Sequence, residues 1–470
     1  MAQNFLNGST NKALLSMSVP ISIGMLSTFL FQVIDTYFVG QLGANQLAAL
    51  SFASTVYFLL VGLFIGLTTA VAIIIGNAFG ANNMDKVKST TALSLLLTLV
   101  LSSLLSVSGI FTIESFFRLL GADENILPFI REYMFTLYCG MPLLMISLMG
   151  GGALRATGVV KPPEIFMGIG GVINLILDYL LIFGKGPFPA MGIKGAALAT
   201  VLSWSFVIVA ILFMTFKSRL LNLSFLKERI QNVEILKDIY ILGPPSMLTQ
   251  LIGPATLMYI TYLLAQQAAT AVAAYGVAGR IETLLLIGIL GVSIAATPFI
   301  AQNLGAEKHL RIDEAIVFGG KASFYLGILL FILLMLFIKP TASIFSDSQQ
   351  VIDYTSLYFY AVSISYVFYG LYIITSSIFN GLQLPVNSLK IVLVKCLVFT
   401  VPLTLFGSMF GVLDIFVGLS ASNIIGGIYA AKEMRNQLRK VNSSLAKQNP
   451  ISGYKEDLWA LKHMLTSIFK

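Results

Sequence analysis

The sequence predicts an all-α polytopic membrane protein: twelve transmembrane helices arranged as two parallel six-helix repeats. Three observations predict it, namely the composition, a series of long apolar runs, and an internal repeat at one fixed offset. Of the 470 residues, 57% are hydrophobic and only 11% are charged, against about 25% charged in ordinary soluble chains. No water-soluble fold can cover so much apolar surface with so few charges, whereas a bilayer is a solvent that accepts it.

A span needs roughly 20 mostly apolar residues. The chain offers twelve such runs, at about 14–38, 50–76, 90–113, 129–154, 164–183, 191–216, 240–264, 275–301, 315–338, 354–379, 387–410 and 413–431. In lipid, every backbone polar group must be satisfied within the segment, so these runs are helices. A barrel would need short alternating segments instead. The first run is too long for the apolar core of a cleaved signal and has no basic stretch before it, so it reads as the first span.

Orientation follows from the basic residues. With a cytoplasmic N-terminus, only Arg118, Arg131, Lys185, Lys194 and Lys339 fall outside, and Arg280 and Lys395 fall within helices; the rest of the 29 Lys and Arg residues lie inside. The net charge of +8 is therefore a topology signal and not a nucleic-acid footprint. The expected location is the cell membrane, multi-pass, with both termini cytoplasmic.

Shifted by 225 positions, the sequence meets itself: Pro20 falls on Pro245, Thr36-Tyr37 on Thr261-Tyr262, Ala48-Ala49 on Ala273-Ala274, Gly66 on Gly291 and Gly80-Ala81 on Gly305-Ala306. One offset shared over such a length marks a true duplication. Each half has an even number of spans, so the halves are parallel repeats, a recurring transporter architecture with its substrate path near the interface of the halves. The expected organisation is an N-terminal lobe over 1–216, a cytoplasmic linker over 217–239, a C-terminal lobe over 240–431 and a cytoplasmic tail over 432–470. The linker mixes Leu, Ile and Phe with Lys, Glu and Arg, as a short surface helix would. In the tail, Leu458, Leu461, Leu465, Ile468 and Phe469 recur at helical spacing, the pattern of an amphipathic helix.

Ionisable groups inside spans are costly, so each is a site candidate. Asp35 lies in the first span, where the repeat has Ile260. Asp178 lies in the fifth with Asn174 one turn earlier on the same face. Thr200 in the sixth adds a hydroxyl. Counted from the helix ends at about 1.5 Å per residue, these groups fall within about 9 Å of one another along the membrane normal. Two neighbouring carboxylates in a low dielectric resist joint ionisation, so such a pair holds a proton or, with amide and hydroxyl oxygens, a small hard cation. Further candidates are Glu282 and Arg280 in the eighth span, two apart and so seeking different partners, and Lys395 in the eleventh, facing the central cavity or pairing with Glu282. Pro20 is placed to bend the helix that carries Asp35. Cys139 and Cys396 read as small buried hydrophobes. His309 and His463 lie in polar segments, and apart from Na+ at the Asp35/Asn174/Asp178/Thr200 cluster no metal site is expected.

This pattern resembles the multidrug and toxic compound extrusion (MATE) family. The resemblance is carried by Asp35-Thr36-Tyr37-Phe38-Val39-Gly40 with Gly43, Gly76-Asn77-Ala78-Phe79-Gly80, Leu154-Arg155-Ala156-Thr157-Gly158 with Lys161-Pro162, Asn174 with Asp178, and Gly192 with Gly195-Ala196-Ala197-Leu198-Ala199-Thr200. It covers about residues 10–435 and looks DinF-like. It implies antiport, in which inward H+ or Na+ flow drives export of amphipathic, mostly cationic organic compounds by alternating access. It also implies that Asp35 is the principal coupling carboxylate, that Asn174, Asp178 and Thr200 assist it, and that Pro20 is the bending proline. The seventh and tenth spans carry no deep acid, unlike other branches of the family. Gly150-Gly151-Gly152 stand in the fourth where polar side chains would line a pocket, so an apolar substrate surface is expected.

The alternative is a flippase for a lipid-linked oligosaccharide or other amphipathic lipid. Such proteins line their cavity with several basic residues, and here only Lys395 and Arg280 remain within spans. No metal-ligand set, nucleophile–base pair or phosphate loop argues for an enzyme. No cofactor is expected beyond the coupling ion. The expected partners are small organic cations as substrate and the lipid bilayer, with no nucleic acid and no obligate protein partner, the chain acting as a monomer.

Overall fold

A computed structural model describes residues 5–221 and 229–446. The described residues form helices with no strand. In order these are α1 (Thr10–Gly40), α2 (Ala44–Gly80), α3 (Met84–Leu119), α4 (Leu127–Ala156), α5 (Lys161–Phe183), α6 (Gly192–Lys217), α7 (Arg229–Ala265), α8 (Ala269–Gly305) and α9 (His309–Phe345). The tenth span is α10 (Gln349–Val362), a 3-10 turn (Ser363–Ser365) and α11 (Tyr366–Gly381). The eleventh is α12 (Pro385–Leu393), a π-helical turn (Val394–Thr400) and α13 (Val401–Ser408), and α14 (Val412–Ala446) is the twelfth. Among the described residues, twelve spans are long and apolar enough to cross a bilayer. Leu329, Ile332, Leu336 and Phe337 of α9 all point outward, an apolar surface that water would not tolerate but lipid does. The chain is a multi-pass membrane protein.

Several helices run past the ends of their apolar runs. Within the expected linker 217–239, the chain is helical from Arg229, where α7 begins. Glu234, Lys237 and Asp238 interrupt the hydropathy, but Ile235 and Ile239 among and beyond them are buried, and Asp238 pairs with Lys86 of α3 at 2.9 Å. A lateral ion pair thus lets the helix continue. Likewise α14 extends beyond 431, where Glu433 binds Lys390 of α12 at 3.0 Å. The amphipathic pattern over 458–469 and the linker residues 222–228 lie outside the described residues. Cys139 is exposed and not buried; an apolar run does not distinguish a lipid-facing position from a core one.

The chain divides into two compact units, one comprising Pro20–Gln250 and the other Phe5–Val19 with the chain from Leu251. Both dividing points fall inside helices: α1 changes unit between Val19 and Pro20, and α7 between Gln250 and Leu251. The start of α1 is held by Lys308 and by Arg311 and Glu314 of α9. Arg311 donates to the carbonyls of Phe5 and Gly8 and to Asn303 Oδ1. Lys308 donates to the carbonyl of Leu6, and Thr10 bonds Glu314.

Within the first unit, α4 is wrapped by α2, α3 and α6. Two of its glycines, Gly150 and Gly152, are packing notches. A Cβ on Gly152 would meet Thr68 of α2 at 2.2 Å, and one on Gly150 would meet Ile211 of α6 at 2.7 Å. Helices approach closely in lipid through small residues, and Gly150 and Gly152 serve that approach.

Candidate functional site

The geometry around Asp35 begins with glycines. Phe31 of α1 rests on Gly171 of α5, where a Cβ would lie 1.9 Å from its ring. Glu164 of α5, paired with Arg155 at 3.0 Å, occupies the notch left by Gly24 of α1. These two notches hold α1 against α5. Asp35 is one turn beyond Phe31; Asn174 and Asp178 are one and two turns beyond Gly171. On the other side, Gly195 of α6 lies against the α5 backbone, a Cβ there meeting the carbonyl of Leu181 at 2.7 Å, and Thr200 follows one turn later.

The four residues singled out in the first lobe are thereby brought together. Asn174 lies 3.3 Å from Thr200 Oγ1, and Thr200 donates to the carbonyl of Ala196 at 3.0 Å. The Asn174 amide suits its neighbours best with Nδ2 donating to Asp178 Oδ2 and Oδ1 accepting from the Thr200 N–H, each at 3.3 Å, an assignment made from the network. Asp178 is 1% exposed, and Asp35 is close enough for the two charges to interact. One oxygen of each carboxylate, Asp35 Oδ1 and Asp178 Oδ1, is buried without a hydrogen-bond partner. Among the described residues neither carboxylate is in an ion pair.

Two tyrosines complete this cluster. Tyr57 of α2, stacked on Trp204 at 6.1 Å, lies within electrostatic reach of Asp35. Tyr133 of α4 is buried and within reach of Asp35, Asp178 and Tyr57. Neither stands out in the sequence, because a tyrosine in an apolar run looks like any other core aromatic. The available signal was that a buried phenol seeks a polar neighbour.

The second unit holds a different cluster. Glu282 of α8 accepts a hydrogen bond from Tyr358 of α10 at 3.0 Å. Tyr358 is wedged edge-on against Tyr275 and Phe416. Lys395 does not form an ion pair with Glu282: its ammonium lies 5.3 Å from the ring centre of Tyr369 and 5.2 Å from that of Tyr372. Glu282 acts on it only through space. Arg280 is exposed on α8 and joins neither group. Ile260, opposite Asp35 in the repeat, is buried. Among the described residues no three His, Cys, Asp or Glu side chains gather as metal ligands would.

The comparisons with known proteins agree with this layout. The MatE family model matches residues 20–180 and again 245–406, so its two matches start one repeat offset apart. A FAD transporter of Shewanella oneidensis is 36% identical over 425 residues, 90% of this chain and 94% of that protein. The probable multidrug resistance protein YoeA of Bacillus subtilis is 29% identical over 338 residues, 71% of this chain and 73% of that protein. A crystal structure of the Vibrio cholerae MATE transporter VcmN in the bent form superposes with a TM-score of 0.87 at 26% identity, covering 92% of this chain and 98% of that one. The chain belongs to the MATE family of transporters.

Proposed function

We propose that this MATE-family protein is an ion-coupled exporter in the cell membrane, with both termini in the cytoplasm. In this reading inward H+ or Na+ binds at Asp35 and Asp178, assisted by Asn174 and Thr200, and drives outward transport of an amphipathic aromatic compound by alternating access. The observation that carries the coupling half is the pair of buried carboxylate oxygens without donors. An uncompensated carboxylate pair is expensive in a low dielectric, and binding a monovalent cation relieves that cost. Its release restores it, which is what a coupling site requires. Pro20, at the point where α1 changes unit, leaves one helical hydrogen bond unmade, and α1 is read as bending there when the ion binds.

For the substrate, 36% identity to the Shewanella oneidensis FAD transporter over 90% of the chain favours a flavin dinucleotide or a compound of that chemistry. The multidrug resistance relatives support a second reading, export of amphipathic organic cations. Reconstitution distinguishes them. Proteoliposomes would be loaded in parallel with FAD or ethidium and given a pH gradient alone, then a sodium gradient alone. The account expects gradient-driven movement of FAD, with the effective gradient identifying the ion. Movement of ethidium alone selects the second reading, and movement of neither under either gradient contradicts coupled export.

A further inference from the structure

Lys395 is a charged side chain only 8% exposed in the middle of a transmembrane segment, and three features of the fold are devoted to it. It sits on the π-helical turn Val394–Thr400, a widened geometry that concentrates at functional positions; Thr400 Oγ1 donates to the Lys395 carbonyl at 3.0 Å and braces that turn. On α14, Gly426 leaves room for its stem, since a Cβ there would lie 2.8 Å from Lys395 Cγ. Its ammonium then comes to rest over Tyr369 and Tyr372, whose rings are stacked 6.0 Å apart at 21°. Among the described residues the ammonium is in no ion pair, and the nearby carboxylate, Glu282, is already engaged by Tyr358. The aromatic faces stabilise a cation but do not neutralise it. A buried charge left so is costly, and the cost is recovered when an anion arrives.

We infer that Lys395, Tyr369 and Tyr372 form a substrate subsite in the second lobe, in which the lysine takes a phosphate and the tyrosines take a planar aromatic system. This rests on the flavin reading above and adds to it where the dinucleotide is held. The phosphate-bearing end meets Lys395, and a ring of the ligand slides onto the Tyr369/Tyr372 faces. An organic cation is disfavoured at this position because the lysine repels it.

The test is calorimetric titration of the full-length protein in lipid nanodiscs with FAD, FMN and uncharged riboflavin. For Lys395→Met, affinity for FAD and FMN should fall at least about tenfold while riboflavin changes less than about threefold, since only the phosphate partner is removed. Gly426→Ala keeps the charge but displaces it, and should weaken FAD by about threefold or more through misplacement of that partner. This second variant serves if Lys395→Met fails to fold, as judged by size exclusion. Wild-type FAD affinity in both variants overturns the subsite and leaves the flavin reading intact. Equal loss of riboflavin and FAD makes the lysine structural and overturns it too. If the wild-type protein binds none of the three flavins, the flavin reading itself fails and the subsite with it.

Discussion

In the first half of the molecule Asp35 stands on α1 where the second half has the buried Ile260. In the second half Glu282 stands on α8 where the first half has Tyr57. Between them one residue is kept: Tyr133 and Tyr358 match at the same offset, and each lies beside its half's own carboxylate. A third position differs again. Gly170 of α5 lets Val207 of α6 close in, its Cβ site being 2.5 Å from Val207 Cγ2, while its counterpart Lys395 extends over a glycine of α14. The duplicated helices preserve shape, because packing in lipid depends on close approach and van der Waals contact. Charge is not needed for that packing, and the charged positions differ between the halves. The first half buries the Asp35 and Asp178 carboxylates, and the second buries Glu282 against Tyr358 and Lys395 over Tyr369 and Tyr372.

That contrast can be broken at either end. The largest effect is expected at Asp178, which among the described residues is in no ion pair and has one unpartnered oxygen. Asp178→Asn should reduce gradient-driven transport in proteoliposomes at least about tenfold, as loss of a positioned acid–base group typically does, while riboflavin affinity in the second lobe stays unchanged. Next is the framework of the first site. Gly195→Val forces a side chain into the α5 backbone and should destabilise the protein by about 1–3 kcal/mol through overpacking, read as a lower melting temperature in detergent.

The matched tyrosines sharpen the comparison. Tyr358→Phe removes the donor to Glu282 and should cost about 1–3 kcal/mol, the price of leaving a buried acceptor short of a partner. Tyr133→Phe removes a hydroxyl that touches its carboxylates only through space, and should change stability by less than about 0.5 kcal/mol; parallel thermal melts of the two variants check the difference. The smallest effect is expected at the Lys86–Asp238 pair, whose side chains are 32% and 39% exposed. Asp238→Asn should shift stability by less than about 1 kcal/mol, with the shift shrinking further at high salt.

Much of the fold was legible in the sequence because membrane spans depend on length and apolarity, which a linear chain displays directly. The duplication was visible for the same reason. The Asp35, Asn174, Asp178 and Thr200 grouping was also readable, since polar groups in apolar runs are conspicuous and depth can be counted along helices. Three things were not readable. Tyr57 and Tyr133 have no distinguishing spacing. The start of α7 was hidden because Asp238 finds its partner on α3, a contact no local pattern records. The environment of Lys395 depends on a π-helical turn and on Gly426, and neither a widened turn nor an empty volume is written in hydropathy. The packing role of Gly150 and Gly152 was hidden for a related reason: a glycine's role is set by what approaches it.

The central claim is a division of labour, with ion coupling in the first lobe and substrate recognition in the second. The most direct test is Asp35→Asn, compared with wild type in the same proteoliposomes by two readings, FAD accumulation under an imposed ion gradient and FAD binding at equilibrium without one. The account predicts that accumulation falls at least about tenfold while the binding constant remains within about threefold of wild type, a change of less than about 0.7 kcal/mol. If accumulation persists, or if binding is lost along with it, the separation of the two roles is wrong.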